Sequence, residues 1–191
     1  MGILLGFAPF IVFALLAGIS TDLALWAALA AAFAIGIRDF AQTRLLRILD
    51  VGSMVLFGML ALYTGFIQPS LSIQAVRLIV DGGLFSVALA SLLVGNPFTL
   101  DYAREQVARE FWQAPLFLRA NYIVSGAWTL AFAAMTAADA AATFNARFPL
   151  NLDVAAGFAA LTLAVIFTAR YPAHVRAQAA RSAAAAKRRP R

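Results

Sequence analysis

Val76-Arg77-Leu78-Ile79-Val80-Asp81-Gly82-Gly83-Leu84-Phe85-Ser86-Val87-Ala88-Leu89-Ala90-Ser91-Leu92-Leu93-Val94-Gly95 is the stretch that decides the fold class. Its apolar residues run on without period-two alternation, and Asn96-Pro97 stops it. A helix crossing the ~30 Å hydrocarbon core of a bilayer needs about 20 such residues. Continuous runs of this kind read as helices rather than barrel strands. Working outward, comparable stretches lie at 3–19, 23–37, 51–67, 122–142 and 154–169. With 76–95 they predict an all-α, polytopic membrane bundle of about six transmembrane helices over 1–172. A basic cytoplasmic tail, 173–191, follows and is expected to be flexible. The first pair is the place where a tight hairpin that does not fully cross is the alternative. Asp22 would suit an N-cap for the second helix.

Composition excludes the other classes. Of the 191 residues, 63% are hydrophobic and 13% charged, against roughly 45–50% and 25% in soluble domains. The mean hydropathy is +0.83. The polar residues could not cover a water-soluble surface, and the chain is too apolar for disorder. With no cysteine there is no disulfide framework and no thiolate site. The first stretch lacks a basic n-region and an A-x-A-type cleavage site, so a retained helix is expected rather than a signal peptide.

The net charge of +6 is unevenly placed. Arg38, Arg44, Arg47, Arg104, Arg109, Arg119, Arg170 and the six Lys and Arg residues of the tail fall on one side of the six spans. Only Arg77 and Arg147 fall on the other. Because Lys and Arg are retained on the cytoplasmic side, both termini are expected there.

Catalytic constellations are missing. The sequence holds no P-loop, dinucleotide fingerprint, H-E-x-x-H or G-x-S-x-G. His174 is the sole histidine and has no nearby carboxylate or cysteine with which to hold a metal. No cofactor, metal or enzymatic activity is expected. The candidate intramembrane polar residues are Asp81, Arg77 and Asp139. Acids at membrane depth are costly and mark functional sites by default. Asp81 and Asp139 lie toward the outer side with Asp22 and Asp153. Arg77, four residues before Asp81, is expected to pair with it on the same helix face. Gly82, Ser86 and Ala90, like Ala28, Ala32 and Gly36, repeat at a spacing that lets helices approach closely.

The longest hydrophilic segment, 97–121, predicts a short cytoplasmic amphipathic helix on the leaflet surface, ending near Pro115. Leu100, Ala103, Val107, Phe111 and Ala114 share one stripe. Asp101, Glu105 and Arg109 face the other way, with Glu105–Arg109 and Asp101–Arg104 as helical pairs. Leu100, Val107, Phe111 and Trp112 are the candidate docking residues. In the tail, Lys187, Arg188, Arg189 and Arg191 predict adhesion to anionic lipid. Nucleic-acid binding is not expected, since no aromatic or folded module accompanies these charges. A homo-oligomer is compatible with alanine-rich helices.

Four segments resemble the bacterial inner-membrane septation protein A family, the intracellular septation proteins. They are Gly6-Phe7-Ala8-Pro9-Phe10-Ile11-Val12-Phe13, the basic connector Arg44 to Asp50, the Asn121…Trp128 opening, and the closing span Gly157 to Thr168. Order and spacing are similar over most of 4–172. Pro97 to Phe117 and the polybasic tail depart from the pattern, as in a divergent member. The resemblance implies a non-enzymatic role in septation and envelope maintenance, exerted through lateral contacts with cell-division or envelope-synthesis membrane proteins. It carries no catalytic residues. Two alternatives are a small transporter or channel using Asp81 and Asp139, and a membrane anchor for an enzyme partner.

Overall fold

The computed structural model describes residues 5–145 and 147–187, with side-chain surroundings omitted for 150 and 176–187. All regular structure among these residues is helical. The helices are α1 (Ala8–Leu16), α2 (Thr21–Thr43), α3 (Ile48–Phe66), α4 (Ile73–Leu93), α5 (Thr99–Arg104), α6 (Pro115–Phe144) and α7 (Leu150–Lys187). A single 3-10 turn, Arg109–Phe111, lies between α5 and α6. Five of them, namely α2, α3, α4, α6 and the part of α7 over Asn151–Val175, are long and apolar enough to cross a membrane. The chain is a helical membrane bundle.

Local chemistry sets the ends of these helices. Ser20 caps α2, accepting from the Leu23 N–H at 3.4 Å, and Ser72 caps α4 through the Ala75 N–H at 3.3 Å. Asp22, expected as the cap of α2, lies instead in its first turn, where a carboxylate favours the positive end of the helix dipole. Pro115 opens α6 rather than closing the preceding helix, because a proline at the first helical position loses no backbone hydrogen bond. α6 consequently begins seven residues before its apolar core.

α1, α2, α3, α4, α6 and α7 pack each against the next in that order, and α5 lies on α6. Short connections make neighbours antiparallel, so the bundle has two ends. One holds the α2–α3 connection, α5 and the start of α6. The other holds the α3–α4 and α6–α7 connections. α1 itself has nine residues, and the stretch around it leads from Gly6, beside Tyr102 of α5, to Ser20, the cap of α2 at the opposite end of the bundle. It serves as a wedge. Phe7 stacks on Trp128 at 4.7 Å and meets Phe132 and Phe98 edge-on, while Phe10 and Phe13 both lie against Phe57. Phe10 packs against both halves of the core, one around Trp128 and Phe132, the other around Phe57, Leu25 and Val80.

Small residues set the helix spacing. Ala28, Ala32 and Gly36 are all buried along one stripe of α2, and a Cβ at Gly36 would collide with Met54 of α3. Large apolar side chains such as Leu15, Phe66, Leu93, Leu130 and Phe158 are exposed on the outside, as on a surface that a bilayer covers. α7 continues through Pro172 to Lys187, so most of the segment expected as a flexible tail is helical. Arg188, Arg189 and Arg191 lie outside the described residues, as does the side chain of Lys187.

Candidate functional site

The arginine-rich end is organised by Arg47. α2 stops where Arg44 turns left-handed, at φ 58°, and three residues later the Arg47 N–H donates to Asp50 Oδ2 at 3.3 Å to open α3. This connector delivers the Arg47 guanidinium between α2 and α5. One nitrogen donates to Asp39 Oδ2 and another to Glu105 Oε1. The guanidinium also lies 4.6 Å over the Tyr102 ring. Asp39 is 1% exposed and Arg47 8%, so this pair is withdrawn from water, while Glu105 stays at the rim. Only a forked, always-charged donor suits that position.

The segment 97–121 is pinned on three other sides. The Phe98 N–H donates to Ser91 Oγ at 3.2 Å, and the Thr99 N–H to Ser125 Oγ at 3.3 Å. Thr99 Oγ1 donates to the Asn121 carbonyl at 3.2 Å. Trp112 Nε1 donates to the Val107 carbonyl at 3.0 Å, and Arg104 and Arg109 stand over the Trp112 ring at 5.5 and 5.6 Å. Burial holds the Asp101 carboxyl above the usual range, opposed by the Ile48 N–H and Arg104. Tyr102 is likewise pushed up, first by burial and then by the Asp50 carboxylate.

The expected amphipathic helix is therefore corrected. α5 has six residues and ends at Arg104, because Glu105 is drawn to Arg47 rather than to Arg109. Leu100, expected on a lipid-facing stripe, is 3% exposed and buried in protein. Phe111 remains exposed, and Val107 and Trp112 are partly so. Asp101–Arg104 does form, at 3.6 Å. Behind Phe111, the segment, α6 and α7 enclose a groove of about 950 Å³ that reaches Asn121, Thr168 and Pro172.

At the opposite end Arg77 leaves its own helix. It pairs with Asp139 of α6 at 3.3 Å and Asp153 of α7 at 3.0 Å, in place of the expected pairing with Asp81 alone. Crossing to two other helices shields two carboxylates with one guanidinium. Asp81 lies beside Asp139 as a third carboxyl. The Asp81 and Asp139 carboxyls are within hydrogen-bonding reach of each other. The structure thus brings Asp81, Arg77 and Asp139 together and adds Asp153. Among the described residues no group of His, Cys, Asp or Glu is placed to hold a metal ion.

Asp39 was not singled out from sequence, Arg47 was read only as one of the one-sided cations and part of the basic connector, and Glu105 was expected to pair with Arg109. Asp39 carried the one available signal, lying three residues after Gly36 on the small-residue stripe of α2. Compared with known proteins, the chain matches no family model, no curated protein and no solved structure.

Proposed function

We propose that this protein is a non-enzymatic component of the bacterial inner membrane that supports septation or envelope maintenance through lateral contacts with other membrane proteins. One observation carries the reading: segment 97–121 is a fixed platform. It is anchored by Arg47, Ser91, Ser125 and Asn121, and it holds Phe111 52% exposed at the arginine-rich end. A pinned aromatic loses little entropy on binding, which is what makes a preorganised contact effective. The resemblance to septation protein A points to division or envelope-synthesis proteins as partners. A photo-crosslinking residue at Phe111, used in native membranes, is expected to capture such proteins. Recovery of this chain and lipid alone would sink the reading.

A second reading rests on the Arg77 cluster. Three carboxyls around one guanidinium at membrane depth suit a transporter or channel with Asp81 and Asp139 in a polar path. Asp81→Asn in liposomes would then abolish ion flux at unchanged protein level. Under the first reading the variant is tolerated.

A further inference from the structure

We propose that the groove between segment 97–121, α6 and α7 is a binding site for one anionic phospholipid. An acyl chain occupies the groove, and the phosphate meets the arginines at its mouth. The groove is about 950 Å³, within the roughly 300–1,000 Å³ of small-molecule sites. Its walls include Val107, Phe117, Val124, Ala169 and Val175, which suit a hydrocarbon chain. Its level suits a lipid, because it lies where α6 and α7 leave the apolar zone, beside Tyr122 and Tyr171.

Charge at the mouth selects the headgroup. Arg109, Arg119 and Arg170 are exposed, and each adjoins a lining residue in the chain, Ala108, Ala120 and Ala169 respectively. The nearby acids are partly engaged elsewhere: Glu105 by Arg47 and Asp101 by Arg104. Glu110 is the remaining acid of this segment. A backbone carbonyl of a lining residue also lacks its usual helical donor. Pro172 has no N–H to offer the Thr168 carbonyl one turn back, and both residues line the groove. The Thr168 hydroxyl is already committed, accepting from Trp128 Nε1 and donating to the Ala164 carbonyl, each at 2.8 Å. A headgroup or glycerol hydroxyl could supply the missing donor. This site goes beyond partner docking and does not depend on it: capture of lipid alone from Phe111 contradicts docking and leaves this inference standing.

Native mass spectrometry of the full chain, released from detergent with phosphatidylglycerol or phosphatidylcholine, tests it. The wild type is expected to retain one phosphatidylglycerol, preferred about tenfold or more over phosphatidylcholine, as adjacent cations would confer. Ala120→Trp fills the groove and should lose the bound lipid while keeping its helical circular dichroism. Ala169→Trp, on the facing wall, repeats the test if the first variant misfolds. Arg119→Gln with Arg170→Gln should keep a lipid but lose the headgroup preference. The proposal is overturned if the wild type retains no lipid, or retains both lipids equally. It is also overturned if the filled variants still hold phosphatidylglycerol, or if a co-purifying polypeptide occupies the groove instead.

Discussion

Arg47 holds the arginine-rich end together by serving a buried and a rim carboxylate at once. Taking the guanidinium away leaves buried Asp39 with only the exposed Arg38, 3.8 Å away, so Arg47→Met is expected to cost about 3 kcal/mol, read as loss of thermal stability in detergent. Arg47→Lys should recover only part of it, because an ammonium cannot fork. Next to this pair, a Cβ at Gly6 would meet the Tyr102 hydroxyl, which is itself buried without a hydrogen-bond partner. Gly6→Ala should therefore destabilise by about 1–3 kcal/mol, and Tyr102→Phe should be close to neutral alone and should rescue Gly6→Ala in part, since the ring Cζ still lies 2.8 Å from the added Cβ. A single-variant result with no rescue would place the strain elsewhere. Asp101 adds a pH term of defined sign. Its carboxyl titrates above the ordinary 3.8 when folded, so the folded state favours its protonated form. Its contribution is fully present below about pH 3.8 and is lost as pH rises through the higher folded value. Asp101→Asn should flatten the stability profile over that window.

At the scale of elements, α1 shows where a hydropathy reading reaches its limit. Phe7, Phe10 and Phe13 are as apolar as any spanning residue, and composition cannot tell which other helices such side chains wedge between. Stacking on Trp128 and Phe57 shows which helices they meet, and those partners lie more than 40 residues away. Phe7→Ala is expected to cost about 3–5 kcal/mol through the cavity it leaves, whereas Leu15→Ala, on the exposed side of the same helix, should change little. Equal effects in a denaturation series would mean that α1 is not a wedge. The long apolar runs of α3, α4 and α6 were readable because each is a local property of 20 or so consecutive residues. Segment 97–121 was legible only in part. Its stripe is real through Leu100 and Ala103, but the helical period ends at Arg104 because Arg47, 58 residues earlier, takes Glu105. The candidate cluster of Asp81, Arg77 and Asp139 was visible as acids and a base in apolar runs, and Asp153 was visible as an outer-side acid. That Arg77 would cross to α6 and α7 could not be read from an i,i+4 spacing.

Over the whole molecule, the two ends differ in charge logic: arginines outnumber acids at one, and acids outnumber the single Arg77 in the cluster at the other. If cations are retained on the cytoplasmic side, the α3–α4 connection faces outward. The chain has no cysteine, so single cysteines report cleanly. A membrane-impermeant maleimide should label Gln68→Cys in intact cells and Gln113→Cys only after permeabilisation, and the reverse pattern would invert the orientation. The platform claim makes a sharper demand, because it ties partner capture to the Arg47 anchor. The decisive measurement is photo-crosslinking from position 111 in native membranes, comparing the otherwise wild-type chain with Glu105→Ala, which removes the platform's Arg47 anchor, the one next to Phe111 in the chain, while leaving the Arg47–Asp39 pair in place. The account predicts envelope or division proteins crosslinked in the first and strongly reduced capture in the second, at equal membrane levels. Unchanged capture in Glu105→Ala, or none in either chain, would contradict it.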